Sequence, residues 1–210
     1  PVLAVLDYGI GNLRSAQKAL QKVGAAARLT ADPEVVALAD GVVLPGVGAF
    51  GRCLEALGDT GLWSTALDTA STAATGTGRP FLGICVGMQL MASMGREYED
   101  TPGLGWIGGE VTQITPKDPK LKVPHMGWND LVIDHDHVVF DGLQTGDNTY
   151  FVHSYHMAVA NPAERLAHIQ YGGEVTAIIG RDTMLGMQFH PEKSQTTGLR
   201  LISNFLTWAP

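Results

Sequence analysis

The chain has 210 residues, 45% of them hydrophobic and 17% charged, enough for one large globular core and too apolar for a disordered chain. Fourteen Lys and Arg against 21 Asp and Glu leave a formal net charge of −7, which speaks against a nucleic-acid or basic membrane-binding face. Two cysteines, Cys53 and Cys85, cannot build a disulfide framework, no apolar run is long enough to span a membrane, and PVLAVLDYGIGN lacks the basic start of a signal peptide. The expectation is a single cytoplasmic domain over 1–210.

In chain order, VLAVLD (2–7) reads as a buried strand and 12–24 as a helix, with Leu13, Ala16, Leu20 and Val23 at helical spacing, Asn12 at the N-cap and Gly24 as the stop. AARLT (26–30) is a second strand, DPEVVALAD (32–40) a short helix and GVVLPG (41–46) a third strand. A helix over 62–74 and a fourth strand, PFLGIC (80–85), follow, and GMQLMASM (87–94) continues that strand directly into a helix. Such alternation implies a parallel sheet covered on both faces. The Pro/Lys-rich stretch TPKDPKLKVP (115–124) reads as a surface loop, and the second half as a whole changes character. GGEVTQI, NDLVI, TYFVHSYHMAVA, LAHIQY, VTAIIG and MLGMQF then read as antiparallel strands, and TGLRLISNFLTW as a closing helix. The fold class is α/β: a mixed, mostly parallel central sheet flanked by helices, with a smaller antiparallel sheet in the second half. The 26 glycines, about 12% against a typical ~7%, cluster at the ends of apolar runs and mark tight turns.

Three segments carry chemistry. Gly83-Ile84-Cys85-Val86-Gly87 places a cysteine where a buried strand meets a helix, the setting of a nucleophile elbow. There the glycines permit a strained turn, and helix amides favour a thiolate. In Gln188-Phe189-His190-Pro191-Glu192, an extended backbone puts His190 and Glu192 on one face, as a base and its orienting carboxylate. Pro45-Gly46-Val47-Gly48-Ala49 can turn backbone N–H groups of Val47 and Gly48 toward an oxyanion, shared with the amide of Val86. His135 and His137 flank Asp136 without metal-ligand spacing, so no metal and no cofactor are expected.

LPGVGAF (44–50), GICVGMQL (83–90) and QFHPEKS (188–194) together resemble the class I, triad-type glutamine amidotransferases. DYGIGNLRS (7–15), VPHMGWN (123–129) and YFVHSY (150–155) narrow the likeness to the glutaminase subunits of imidazole glycerol phosphate synthases, over almost the whole chain. Val86 stands where that family more often has Leu, an apolar change at a position whose backbone carries the role. The resemblance implies Cys85 as the nucleophile that forms a γ-glutamyl thioester, His190 as acid and base, and Glu192 as its orienter. It implies Gln89, Glu97, Ser154 and Tyr155 as positions holding L-glutamine, and Trp128, Asn129, Tyr150 and Lys193 as facing a partner. That partner would be a cyclase with a (β/α)8 barrel, bound as a heterodimer and receiving the ammonia. Competing readings are a glutaminase serving another synthase, a stand-alone thiol hydrolase of the same fold, and a non-catalytic partner protein.

Overall fold

The computed structural model describes residues 1–62, 64 and 79–208. The four apolar runs of the first half become β1 (Val2–Leu6), β2 (Ala26–Thr30), β3 (Gly41–Leu44) and β4 (Phe81–Ile84), all parallel, in the order β2-β1-β3-β4. Both β3 and β4 are buried along their whole length, as strands covered on two faces must be. Between them run α1 (Leu13–Lys22) and α2 (Pro33–Leu38). Asn12 holds the N-cap position of α1 but makes no side-chain capping bond, whereas Asp32 caps α2 by accepting from the Glu34 amide at 3.0 Å. The helix expected over 62–74 falls almost wholly outside the described residues. An unpredicted helix, α3 (Phe50–Asp59), follows β3. Its buried residues Phe50, Cys53, Leu54 and Leu57 do recur at helical spacing.

The helix expected from GMQLMASM is far shorter than its length in sequence. Only α4 (Val86–Gln89) forms before the chain turns away. The carbonyls of Leu90, Met91, Ala92 and Ser93 instead accept the amides of Leu104, Trp106 and Ile107, Gly105 and Gly103. A helix cannot continue once its carbonyls are taken by another segment. The chain passes instead into β5 (Met94–Gly95) and β6 (Thr101–Pro102).

The second-half runs do form strands: β7 (Gly109–Gln113), β8 (His125–Asp130), β9 (Val132–Ile133), β10 (Asn148–His153), β11 (Tyr155–Val159), β12 (Arg165–Gln170), β13 (Glu174–Arg181) and β14 (Met184–Met187). They divide among three sheets. One assignment is corrected in part: β14, read from MLGMQF as antiparallel, is antiparallel to β13 but parallel to β4, and β12 and β9 extend the main sheet antiparallel beyond β13. All four residues of β14 are buried, the pattern of a strand inside a two-sided sheet. TYFVHSYHMAVA breaks at Ser154, with β10 pairing β8 in a two-stranded ribbon and β11 pairing β7 in a sheet with β5 and β6. The last helix, α5 (Gln195–Thr207), buries Leu201, Ile202 and Phe205 against a cluster that joins apolar residues of both halves.

Candidate active site

The site lies beyond the carboxyl ends of β3, β4 and β14, where open parallel sheets place their ligands. Cys85 follows β4 with φ 55° and ψ −116°, a left-handed strain at a non-glycine residue. The flanking glycines make the turn possible. A Cβ on Gly83 would lie 2.8 Å from the Gly87 carbonyl oxygen, and one on Gly87 would lie 1.9 Å from that of Leu44. The elbow is therefore clamped between β3 and its own helix, with the Cys85 amide donating to the Met187 carbonyl at 2.8 Å.

Because Ile84 and Met187 are register partners, the residues just past β14 fall beside Cys85. His190 Nδ1 lies 2.8 Å from Glu192 Oε1, and both side chains are buried. Burial works against a charged imidazole at His190, but hydrogen bonds and charge from Cys85 and Glu192 outweigh it and push the pKa up to about 10. The 190–194 turn is tied to β10, for the His190 amide donates to the Tyr150 carbonyl and Ser194 Oγ accepts from the Tyr150 amide. Ser194 had no role in the sequence reading, although it stands one helical turn after His190. Gln188, two residues before His190, was also passed over. It accepts from Gln89 Nε2 at 3.1 Å and lies 3.9 Å from the Cys85 sulfur.

A cavity of about 680 Å³ opens over Cys85 and His190. Gln89, Glu97, Ser154 and Tyr155, the residues expected to hold substrate, all line it, and the highly exposed Tyr98 stands at its wall. Gln89 donates to the Tyr155 carbonyl at 3.2 Å, which His153 Nδ1 also contacts at 2.8 Å, so this stretch of β11 is held from two sides. Glu97 Oε2 accepts from the Phe50 amide at the start of α3, where the helix dipole favours a carboxylate.

Val47 and Gly48 also line the cavity, but the oxyanion hole expected from them is closed. The Val86 amide donates to the Gly46 carbonyl at 3.1 Å. In a planar trans peptide the N–H points opposite to the C=O, so the Val47 N–H is turned away from the elbow.

Trp128, Asn129 and Tyr150 lie apart from the cavity lining, on the β8–β10 ribbon, while Lys193 lines the cavity itself. Trp128 and Tyr150 are register partners with rings 5.8 Å apart, edge to face. Trp128 is 48% exposed and Met126, on the same face, 64%. Asn129 instead turns inward, donating to the Gln170 carbonyl and contacting His125. Among the described residues no cluster of three or more His, Cys, Asp or Glu is placed to hold a metal, and no helix is long and apolar enough to cross a membrane.

A strained cysteine elbow beside a buried His–Glu pair on such a sheet marks the class of protein, and the chain belongs to the class-I glutamine amidotransferase family, which its residues 4–208 match. Among its relatives, the imidazole glycerol phosphate synthase subunit HisH of Cereibacter sphaeroides is 61% identical over 211 residues, covering 98% of each chain. That of Ruegeria pomeroyi is 58% identical over 213 residues, covering 99% of each. Within the class, the chain thus sits in the HisH family. A crystal structure of a glutamine amidotransferase shares the fold with a TM-score of 0.74 at 21% identity, over 98% of this chain and 97% of that one. The structure of PurLQS from Thermotoga maritima does so with a TM-score of 0.68 at 18% identity, over 98% and 97%.

Proposed function

We propose that this chain is the glutaminase subunit of an imidazole glycerol phosphate synthase, in histidine biosynthesis, acting as a single cytoplasmic domain. The Cys85 sulfur attacks the carboxamide carbon of L-glutamine. His190 gives its proton to the leaving nitrogen, the C–N bond breaks, and ammonia departs from a γ-glutamyl thioester. Water then attacks the thioester carbon, His190 takes the water proton, and glutamate leaves as Cys85 is regenerated. Glu192 holds the imidazole by Nδ1 and stabilises its charged form. Gln89, Glu97, Ser154 and Tyr155 hold the substrate, with the Glu97 carboxylate suited to its ammonium group. Val47, Gly48 and Val86 supply the oxyanion donors once the Gly46–Val47 peptide rotates.

The ammonia passes to a cyclase with a (β/α)8 barrel, bound as the other half of a heterodimer. Trp128, Tyr150 and Lys193 meet it, and the exposed Trp128 packed on the half-buried Tyr150 supports that assignment. Asn129 acts from behind that face, fixing the ribbon. The observation that carries the reading is the convergence of Cys85, His190 and all four expected substrate residues on one cavity. The test is to measure glutamate release and synthase product from glutamine, with the chain alone and with its cyclase. Glutamine-dependent product from the pair supports the reading. No glutamate release in either condition overturns it.

A further inference from the structure

The peptide that closes the oxyanion hole is Gly46–Val47, and its two neighbours are each held by a buried side chain. On one side the Tyr8 hydroxyl donates to the Pro45 carbonyl at 2.5 Å. On the other the Cys53 thiol donates to the Val47 carbonyl at 3.2 Å from one turn into α3. Both side chains are buried, and the Tyr8 hydroxyl also reaches the Cys53 sulfur. Nothing in the chemistry proposed above uses either group.

We infer that Tyr8 and Cys53 are positioning residues that pin the peptides on either side of Gly46–Val47, so that this one peptide turns while its neighbours stay fixed. The inference rests on the glutaminase reading and adds to it the pivots of the turn. Rotating a single peptide changes ψ of the residue before it and φ of the residue after it. If both flanking planes are held, the N–H arrives at one position. If either is loose, the change spreads along the segment and the donor arrives misplaced. Gly46 is essential to the same arrangement, since a Cβ there would lie 2.8 Å from both the Gly87 nitrogen and Tyr8 Oη. Gly48, with φ +89°, lets the chain enter α3 immediately after the second pin. Burial pushes the Cys53 thiol up to about 11, so its proton is in place across the working pH range.

The pins act on transition-state stabilisation and leave substrate binding alone, which separates them from a packing role. In the complex with the cyclase, Cys53→Ala should lower kcat for glutamate release about tenfold, the scale of one hydrogen bond, with KM within twofold. Cys53→Ser keeps a donor at that place and should recover most of the rate. Tyr8→Phe should act as Cys53→Ala does. Equal losses in Cys53→Ala and Cys53→Ser, a loss carried by KM, or unchanged kcat in Cys53→Ala and Tyr8→Phe would each overturn the inference. The unsubstituted complex is the control: if it releases no glutamate, the glutaminase reading has failed, whereas an active control beside unaffected variants removes only the pins.

Discussion

The Gly46 carbonyl accepts the Val86 amide proton at 3.1 Å, and this one bond occupies two of the expected oxyanion donors at once. It takes the Val86 N–H directly and turns the Val47 N–H away. On the glutaminase reading, such a site has its nucleophile and base assembled and lacks transition-state stabilisation. One missing donor typically costs about 3–4 kcal/mol, or roughly 10²–10³ in rate. The chain alone should therefore release glutamate slowly, and the cyclase with its own substrate should raise kcat by about 10² or more. Steady-state glutamate assays in three conditions check this: the chain alone, with the cyclase, and with the cyclase plus its substrate. Equal turnover in all three would remove the switch.

Cys85→Ser should keep the fold and lose glutamine-dependent turnover by about three orders of magnitude or more, because a hydroxyl is far less ionised than a thiol. The elbow tolerates the change sterically, since Ser is the smaller side chain. Synthase activity with free ammonia should persist in the complex, because ammonia enters after this chain's chemistry. Ordinary glutaminase turnover in Cys85→Ser would take Cys85 out of the mechanism.

Much of this was legible in the sequence because it rests on local pattern. Apolar runs alternating with helical patterns identified β1 to β4, and G-x-C-x-G at a strand–helix junction placed Cys85 at the strained turn. What was illegible depends on partners distant in sequence. GMQLMASM has helical composition, yet the Gly103–Ile107 segment takes its carbonyls and ends α4 at Gln89. MLGMQF is equally apolar as a parallel or an antiparallel strand, and it lies between one neighbour of each kind, β4 and β13. Helix α3 was missed because its glycines, Gly51 and Gly58, suggest turns while its buried face carries the helical period. The closed oxyanion hole was out of reach for a different reason: a glycine supports either peptide orientation, and the choice lies in the bond from the Val86 amide to the Gly46 carbonyl.

Trp128→Ala should uncouple the two halves of the reaction. Trp128 packs edge to face on Tyr150, and Tyr150 is bonded through its backbone to both His190 and Ser194. Removing the indole empties the exposed anchor and loosens that ribbon. Association should weaken by about 2 kcal/mol, the scale of an interface hot spot, and the ratio of glutamate to synthase product should rise above one. Titration calorimetry and paired product assays report the two effects. If both are unchanged, the ribbon does not face the partner.

Glu192→Gln tests the His190 pair through pH. The carboxylate is one of the groups that hold the imidazolium against the cost of burial. Without it the His190 pKa must fall, so the alkaline limb of the kcat profile should move to lower pH, with kcat itself reduced. A variant with the parental alkaline limb would show that Glu192 orients the ring without acting on its charge.

Stability should respond to acid through a different set of histidines. Burial holds His125, His137, His153 and His156 below the ordinary value, His153 at about 4. Such a group binds its proton in the unfolded chain near pH 6.5 and releases it in the folded one, so its share of stability is complete above 6.5 and is lost as pH falls toward 4. For His153 alone the loss is about 3 kcal/mol at pH 4. His190 has the opposite sign: its share is complete below 6.5 and is lost as pH rises through about 10. Urea midpoints should therefore peak near neutrality and drop steeply between pH 6.5 and 4.5. His153→Gln should flatten that acid limb while leaving the alkaline limb in place. A parent chain equally stable at pH 7 and pH 4.5 would mean that these imidazoles are not held neutral by burial.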